Sequence, residues 1–263
     1  MKTRHFIGIL LPLLGCSHGS PAENEAQMQK TLNKPIITNE SPVPTQEMAV
    51  PNTIQKQAKQ LQQQNTKALL NVPLIKQNPE LKYGCEVTSL AMMLKYAGAD
   101  TDKMKLFKEI KKENDALKRS ANGDILSWGN PAVGFVGDMT GKQAGYAVFD
   151  KPIIDLINRY LPGRAVNLTG KEFDAVLDQV SAGYPAVVWT TGNYRLPDRW
   201  ESWTHGNEVI KTPLDLHAVV LVGFNETTVY LNDPLSGRKQ VPVNKTIFIK
   251  TWKAMQSRAV SYR

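Results

Sequence analysis

The feature that most limits how this chain can fold is a change in apolar spacing near residue 183. Before it, apolar side chains recur at helical intervals; after it, they come in short strand-like blocks. In 84–96 and just beyond, Val87, Leu90, Ala91, Leu94 and Ala97 share a helical face, and Gly98 supplies a stop. Segment 102–112 predicts a second helix through Leu106, Phe107 and Ile110. Segment 151–160 predicts a third, with Pro152 near its first turn, and 169–182 a fourth, closed by Gly183. Segments 186–190, 217–224, 227–232, 239–243 and 246–250 predict strands. Helices followed by an antiparallel sheet define an α+β fold. The Gly- and Pro-bearing stretch 114–145, between the second and third predicted helices, predicts mostly loop.

The N-terminus has a different character. Lys2, Arg4 and His5 precede the apolar run 6–14, the order of a secretory signal peptide, and the run is shorter than the ~18 residues of a spanning helix. Leu13-Leu14-Gly15-Cys16 resembles the lipobox of bacterial lipoproteins, which implies lipidation of Cys16 and a signal over 1–15. The alternative is an ordinary signal peptide, a secreted product and an incidental Cys16. Residues 17–66 contain no Phe, Trp or Tyr and are rich in Gln, Asn, Pro, Glu and Thr, so 16–66 is expected to be a flexible stalk. Within it, 53–69 lacks Pro and Gly and predicts a helix. The folded domain is expected over 67–263, tethered outside the cytoplasm through an N-terminal lipid anchor.

Charge adds little. The net charge is +8, and removing Lys2 and Arg4 with a signal leaves +6, without clustering. Scattered charge of this size does not point to nucleic acid. Two cysteines cannot build a disulfide scaffold or a cysteine-rich zinc site, and no His, Cys or carboxylate cluster shows ligand spacing. No metal and no organic cofactor are expected, and the domain is expected to be a monomer.

The chemistry-bearing residues lie in three places. Cys85, in Lys82-Tyr83-Gly84-Cys85-Glu86-Val87-Thr88-Ser89, sits where loop becomes helix. There a helix dipole stabilises a thiolate, and Gly84 would leave room for a substrate. Cys85 equally fits a small buried core residue. His217 opens the apolar run Ala218-Val219-Val220-Leu221-Val222, where a rigid strand suits a general base, although a strand His is often only a core or surface residue. His205 falls in the Trp-rich segment 200–207, which predicts a loop. Asn232 or Asp233, at the end of the next strand, can approach His217 across a hairpin and orient its ring; Asp233-Pro234-Leu235-Ser236-Gly237 also fits plain turn chemistry. Gln77, eight residues before Cys85, could help the Cys85 N–H hold an oxyanion. Trp189, Tyr194, Trp200 and Trp203 could line a recognition groove or pack the sheet.

These motifs, in this order and spacing over most of 70–250, resemble the stand-alone bacterial relatives of bacteriocin-leader-processing (double-glycine) cysteine peptidases, within the papain-like superfamily. The resemblance implies a helical lobe carrying the nucleophile and a β lobe carrying the base. It implies Cys85 as nucleophile, His217 as general acid and base, Asp233 as the orienting residue and Gln77 in the oxyanion hole, acting on a peptide or protein. The chain departs from the transporter-fused members in having no transporter segment, in its outward-facing stalk and in a longer Gln77 to Cys85 spacing. Two other readings compete: a hydrolase of peptidoglycan stem peptides, and a non-catalytic peptide-binding module on the same fold.

Overall fold

The computed structural model describes residues 66–263. The expected signal 1–15, Cys16 and the expected stalk up to 65 lie outside the described residues, as does 53–65 of the expected stalk helix. The last two residues of that expected helix, Ala68–Leu69, instead form a short strand, β1.

Helices α1 (Cys85–Tyr96) and α2 (Lys103–Glu109) follow, and Asp102 caps α2 by accepting hydrogen bonds from the Met104 and Lys105 amides. Segment 110–149 is loop-rich but carries β2 (Lys112–Glu113), β3 (Lys118–Arg119), β4 (Ile125–Ser127) and β5 (Phe135–Val136). Next come α3 (Asp150–Tyr160), β6 (Ala165–Asn167), α4 (Phe173–Ser181) and β7 (Ala186–Thr191). The hairpin β8 (Glu201–His205) and β9 (Glu208–Thr212) precedes β10 (Leu216–Phe224), β11 (Thr228–Asp233) and β12 (Arg238–Asn244). The chain then runs through α5 (Lys245–Ala254) into β13 (Ala259–Tyr262).

Among the described residues the main sheet is wholly antiparallel, in the order β12-β11-β10-β7-β13-β6, with β1 on β10 beyond the end of β7. Both faces are covered. Ala218 of β10 and Val187 and Trp189 of β7 pack with Leu90 and Leu94 of α1 and Ile153 and Leu156 of α3. Val219 and Leu221 face the other way, onto Phe173, Val176 and Val180 of α4 and Phe248 and Trp252 of α5. A central strand covered on both faces loses the polar alternation of a half-exposed one. That is why β10 reads as an almost unbroken apolar run. Helix α1 is equally enclosed, buried from Cys85 through Leu94.

Two predicted segments differ. Residues 246–250 are rich in β-branched side chains yet lie inside α5. The Asn244 side chain accepts from the Ile247 amide and starts a helix there, and Phe248, Thr251 and Trp252, three and four residues apart, are all buried along one face. Residues 200–207 are hairpin rather than loop: Trp203 alternates inward between exposed neighbours, and Gly206 adopts a φ of 57° at the turn. A smaller sheet, β3-β4-β8-β9, holds this hairpin against β4 through Ser127 and Thr204.

Candidate active site

Cys85 is the first residue of α1, behind Gly84, which offers the helix no side-chain cap. Its amide is among the first-turn N–H groups that have no intrahelical partner. The helix is locked to β10 one residue past His217, where Ser89 Oγ donates to the Ala218 carbonyl at 3.1 Å. Cys85, His217 and Gln77 line one cleft of about 780 Å³.

His217 is held from the side away from solvent. Its Nε2 lies 2.8 Å from Asp233 Oδ1, and both residues are almost completely buried. The register explains the meeting: Val220 faces Asn232 across the β10–β11 pair, so the end of β11 returns to the start of β10. Asp233 is itself fixed. Its Oδ1 accepts from the Leu235 amide at 2.9 Å and its Oδ2 from the Tyr194 hydroxyl at 2.8 Å. Burial pushes the Asp233 carboxyl up. The hydrogen bond and charge of His217, with hydrogen bonds from Ser236 and Tyr194, outweigh it and hold the group well below the usual carboxylate range. A carboxylate at Nε2 favours the tautomer with its proton there, which leaves Nδ1 as the free base. Asn232 does different work: its Nδ2 donates to the Val72 carbonyl and its Oδ1 accepts from the Gln240 amide, so it ties the segment after β1 to the β11–β12 pair.

Gln77 is buried and anchored. Its Nε2 donates to the Lys82 carbonyl at 2.8 Å, and its backbone amide donates to Pro234 in the turn that follows Asp233. One amide hydrogen of Nε2 remains free for a ligand in the cleft.

Burial pushes the Cys85 thiol well above its ordinary range, and the adjacent Glu86 pushes it further. The helix N-terminus therefore does not by itself produce a resting thiolate. Glu86 is fully buried; Cys85 Sγ donates to its Oε2 at 3.3 Å, and its Oε1 accepts from the Val148 amide at 3.2 Å. Burial, only partly offset by these hydrogen bonds, raises the Glu86 carboxyl to about 7. In the sequence an acidic residue in a first helical turn reads as a partner for the helix dipole. Nothing local signals that its side chain turns inward to the thiol.

Three sequence expectations about the cleft need correction. A Cβ at Gly84 would lie 2.5 Å from Leu81 Cβ, so the space there is filled by the protein's own core. Trp189 is completely buried and donates from its indole to the Val148 carbonyl. Trp203 is buried too, donating to the Gly129 carbonyl and packing against Trp128 and Tyr146 at centroid distances of 5.9 and 5.4 Å. The aromatic side chains that reach the cleft are instead Tyr83, Trp128 and Tyr146, joined by Ile125, Leu214 and Leu235, with Lys82, Arg119 and Asp215 as the charged lining. Tyr194, expected beside the groove, serves Asp233.

A helix-borne thiol and a strand-borne histidine–carboxylate pair on one cleft, with the helical lobe first and the sheet second, make a papain-like α+β fold. The chain belongs to the Peptidase C39 like family, which it matches over residues 69–260. It is similar to the uncharacterized protein YvpB of Bacillus subtilis (strain 168), with 38% identity over 182 residues that make up 69% of this chain and 70% of that protein. It is also similar to a Bacillus anthracis chain whose crystal structure is assigned to the C39-like peptidases. That pair shares 42% identity and a TM-score of 0.69, covering 75% of this chain and 97% of that one.

Proposed function

We propose that this protein is a cysteine peptidase that hydrolyses peptide bonds through Cys85, His217 and Asp233. The observation that carries the reading is the His217–Asp233 pair, 2.8 Å apart and buried, on the same cleft as the Cys85 thiol. Because burial disfavours a resting thiolate, the proton leaves Cys85 for His217 Nδ1 as substrate enters. The thiolate attacks the carbonyl carbon, and the oxyanion is met by the Cys85 N–H and the free Gln77 N–H. His217 returns its proton to the departing amine, leaving a thioester on Cys85. It then deprotonates a water that attacks the thioester, releasing the acid and restoring the thiol.

The mixed lining supports a peptide with an apolar side chain: Ile125, Leu214 and Leu235 offer apolar wall, and Lys82 and Arg119 offer cations for its backbone or acidic groups. The proposed place of action is outside the cytoplasm on a lipid anchor, supported by the signal-like run and Cys16. Intact protein incubated with a mixed peptide library should yield new termini that disappear with Cys85→Ala. A brief quench at acid pH should trap the parent as a thioester adduct detectable by intact mass. Cleavage products unchanged by Cys85→Ala would refute the assignment.

A further inference from the structure

The sequence shows no metal-binding cluster, because His205 lies 90 residues along the chain from Asp115, the nearer of the two carboxylates it meets. Glu113 on β2, Asp115 just after it and His205 at the β8–β9 turn each offer a ligand atom, and these atoms all lie within 4.8 Å of one another. His205 Nε2 is 3.5 Å from Asp115 Oδ2 and 3.9 Å from Glu113 Oε2.

Both separations exceed an N–H···O hydrogen bond, for which about 2.7–3.2 Å is usual, and one ring N–H cannot serve both carboxylates well. They fall near the edge of a tetrahedron around an ion. Bonds of about 2.0–2.2 Å put ligand atoms about 3.3–3.6 Å apart. Among the described residues, His205 is the sole ion-pair partner of either carboxylate. The neighbouring Lys118 lines the hollow beside them but forms no ion pair.

The Glu113 side chain is also built into place. It is only 13% exposed, its Oε1 accepts from the Asp115 amide at 3.3 Å, and its Oε2 is left facing His205. Gly129 makes room for it: a Cβ there would lie 2.4 Å from Glu113 Cγ. Beside the cluster is a hollow of about 430 Å³ bounded by Asp115, Thr204 and His205, with space for one or two waters to complete a coordination shell. Its wall includes Trp128, which also lines the candidate active-site cleft.

We propose that Glu113, Asp115 and His205 form a binding site for a Zn²⁺-class divalent ion that ties the segment after β2 to the β8–β9 hairpin and so braces the Trp128 wall of the cleft. The imidazole nitrogen sets the ion's class, since Ca²⁺ and Mg²⁺ take all-oxygen shells. The site is independent of the thiol chemistry and stands whether or not the protein is a peptidase.

The test titrates chelator-treated full-length protein with ZnCl₂, reading stoichiometry by calorimetry and Tm by differential scanning. Parent and Cys85→Ala should both bind Zn²⁺ with a raised Tm. His205→Ala and Glu113→Gln should each lose at least about tenfold in affinity, with the Tm rise lost too. Ca²⁺ at equal concentration should leave Tm unchanged. Co²⁺ gives a second readout: absorption of a nitrogen–oxygen site without thiolate charge transfer, unchanged in Cys85→Ala and lost in His205→Ala. Zn²⁺ binding that survives in both site variants, or that vanishes with Cys85→Ala, would overturn the proposal. So would Tm rises of equal size with Ca²⁺.

Discussion

Replacing Asp233 by Ala is expected to lower kcat/KM on a cleaved peptide by about 10²–10³-fold, with Asp233→Asn falling between that variant and the parent. The carboxylate has two separable roles. It accepts from His217 Nε2 at 2.8 Å, fixing the ring and its tautomer, and it offsets the positive charge that the ring acquires when it takes the thiol proton. Asn keeps an oxygen for the first role and loses the charge needed for the second; Ala loses both. The same substitutions should change stability with a definite sign. The folded Asp233 carboxyl lies below its ordinary range, so its stabilisation is complete at neutral pH and is lost as pH falls toward the folded value. The deficit of Asp233→Asn in urea denaturation should therefore be largest near pH 7 and shrink in acid. Equal kcat/KM for Ala, Asn and parent would remove Asp233 from the mechanism.

The second large effect is a gain. Glu86→Gln should stabilise the protein at pH 8 by on the order of 3 kcal/mol, because the parent must hold an ionised carboxylate in a fully buried position. The folded group titrates at about 7, above the ordinary carboxylate value. The Glu86 contribution to the parent's stability is therefore most favourable below its unfolded value near 4.5 and is lost as pH rises through about 7, whereas the Gln variant lacks this slope. Gln also keeps an acceptor for the Val148 amide. A catalytic consequence accompanies the stability change. Ionised Glu86 beside the sulfur opposes the thiolate, so at pH 8 the Gln variant should react faster with an alkylating agent. Chemical denaturation of both proteins from pH 4 to 9 checks the first expectation and iodoacetamide rates check the second. Parallel stability curves would show that Glu86 carries no proton at neutral pH.

Much of this architecture is legible in the sequence because it rests on periodicity. Helix α1 and strand β10 are found from apolar spacing alone, and their pairing brings Cys85 and His217 to one cleft. Hairpin geometry narrows the partner of His217 to Asn232 or Asp233, and the observed register chooses Asp233. What escapes is decided by tertiary context. Phe248 and Trp252 draw a β-branched segment into a helix, and Trp203 pulls a polar stretch into a hairpin. Glu86 and Tyr194 acquire their partners from burial and from contacts between distant segments, which no local pattern encodes. Trp189 shows the converse: an indole that the sequence allows in a groove is spent on the carbonyl of Val148 inside the core.

The most direct test of the central claim is the reaction of full-length protein and its His217→Ala variant with an electrophilic cysteine-peptidase probe from pH 5 to 9, with Cys85→Ala as the blank for all other labelling. The structure predicts rapid labelling of the parent at Cys85 near neutral pH. It predicts that His217→Ala slows labelling by orders of magnitude there, with the two rates converging only at alkaline pH, where the buried thiol ionises without help. Equal rates for parent and His217→Ala across the whole range would contradict it, and would leave Cys85 as a buried thiol on a papain-like fold.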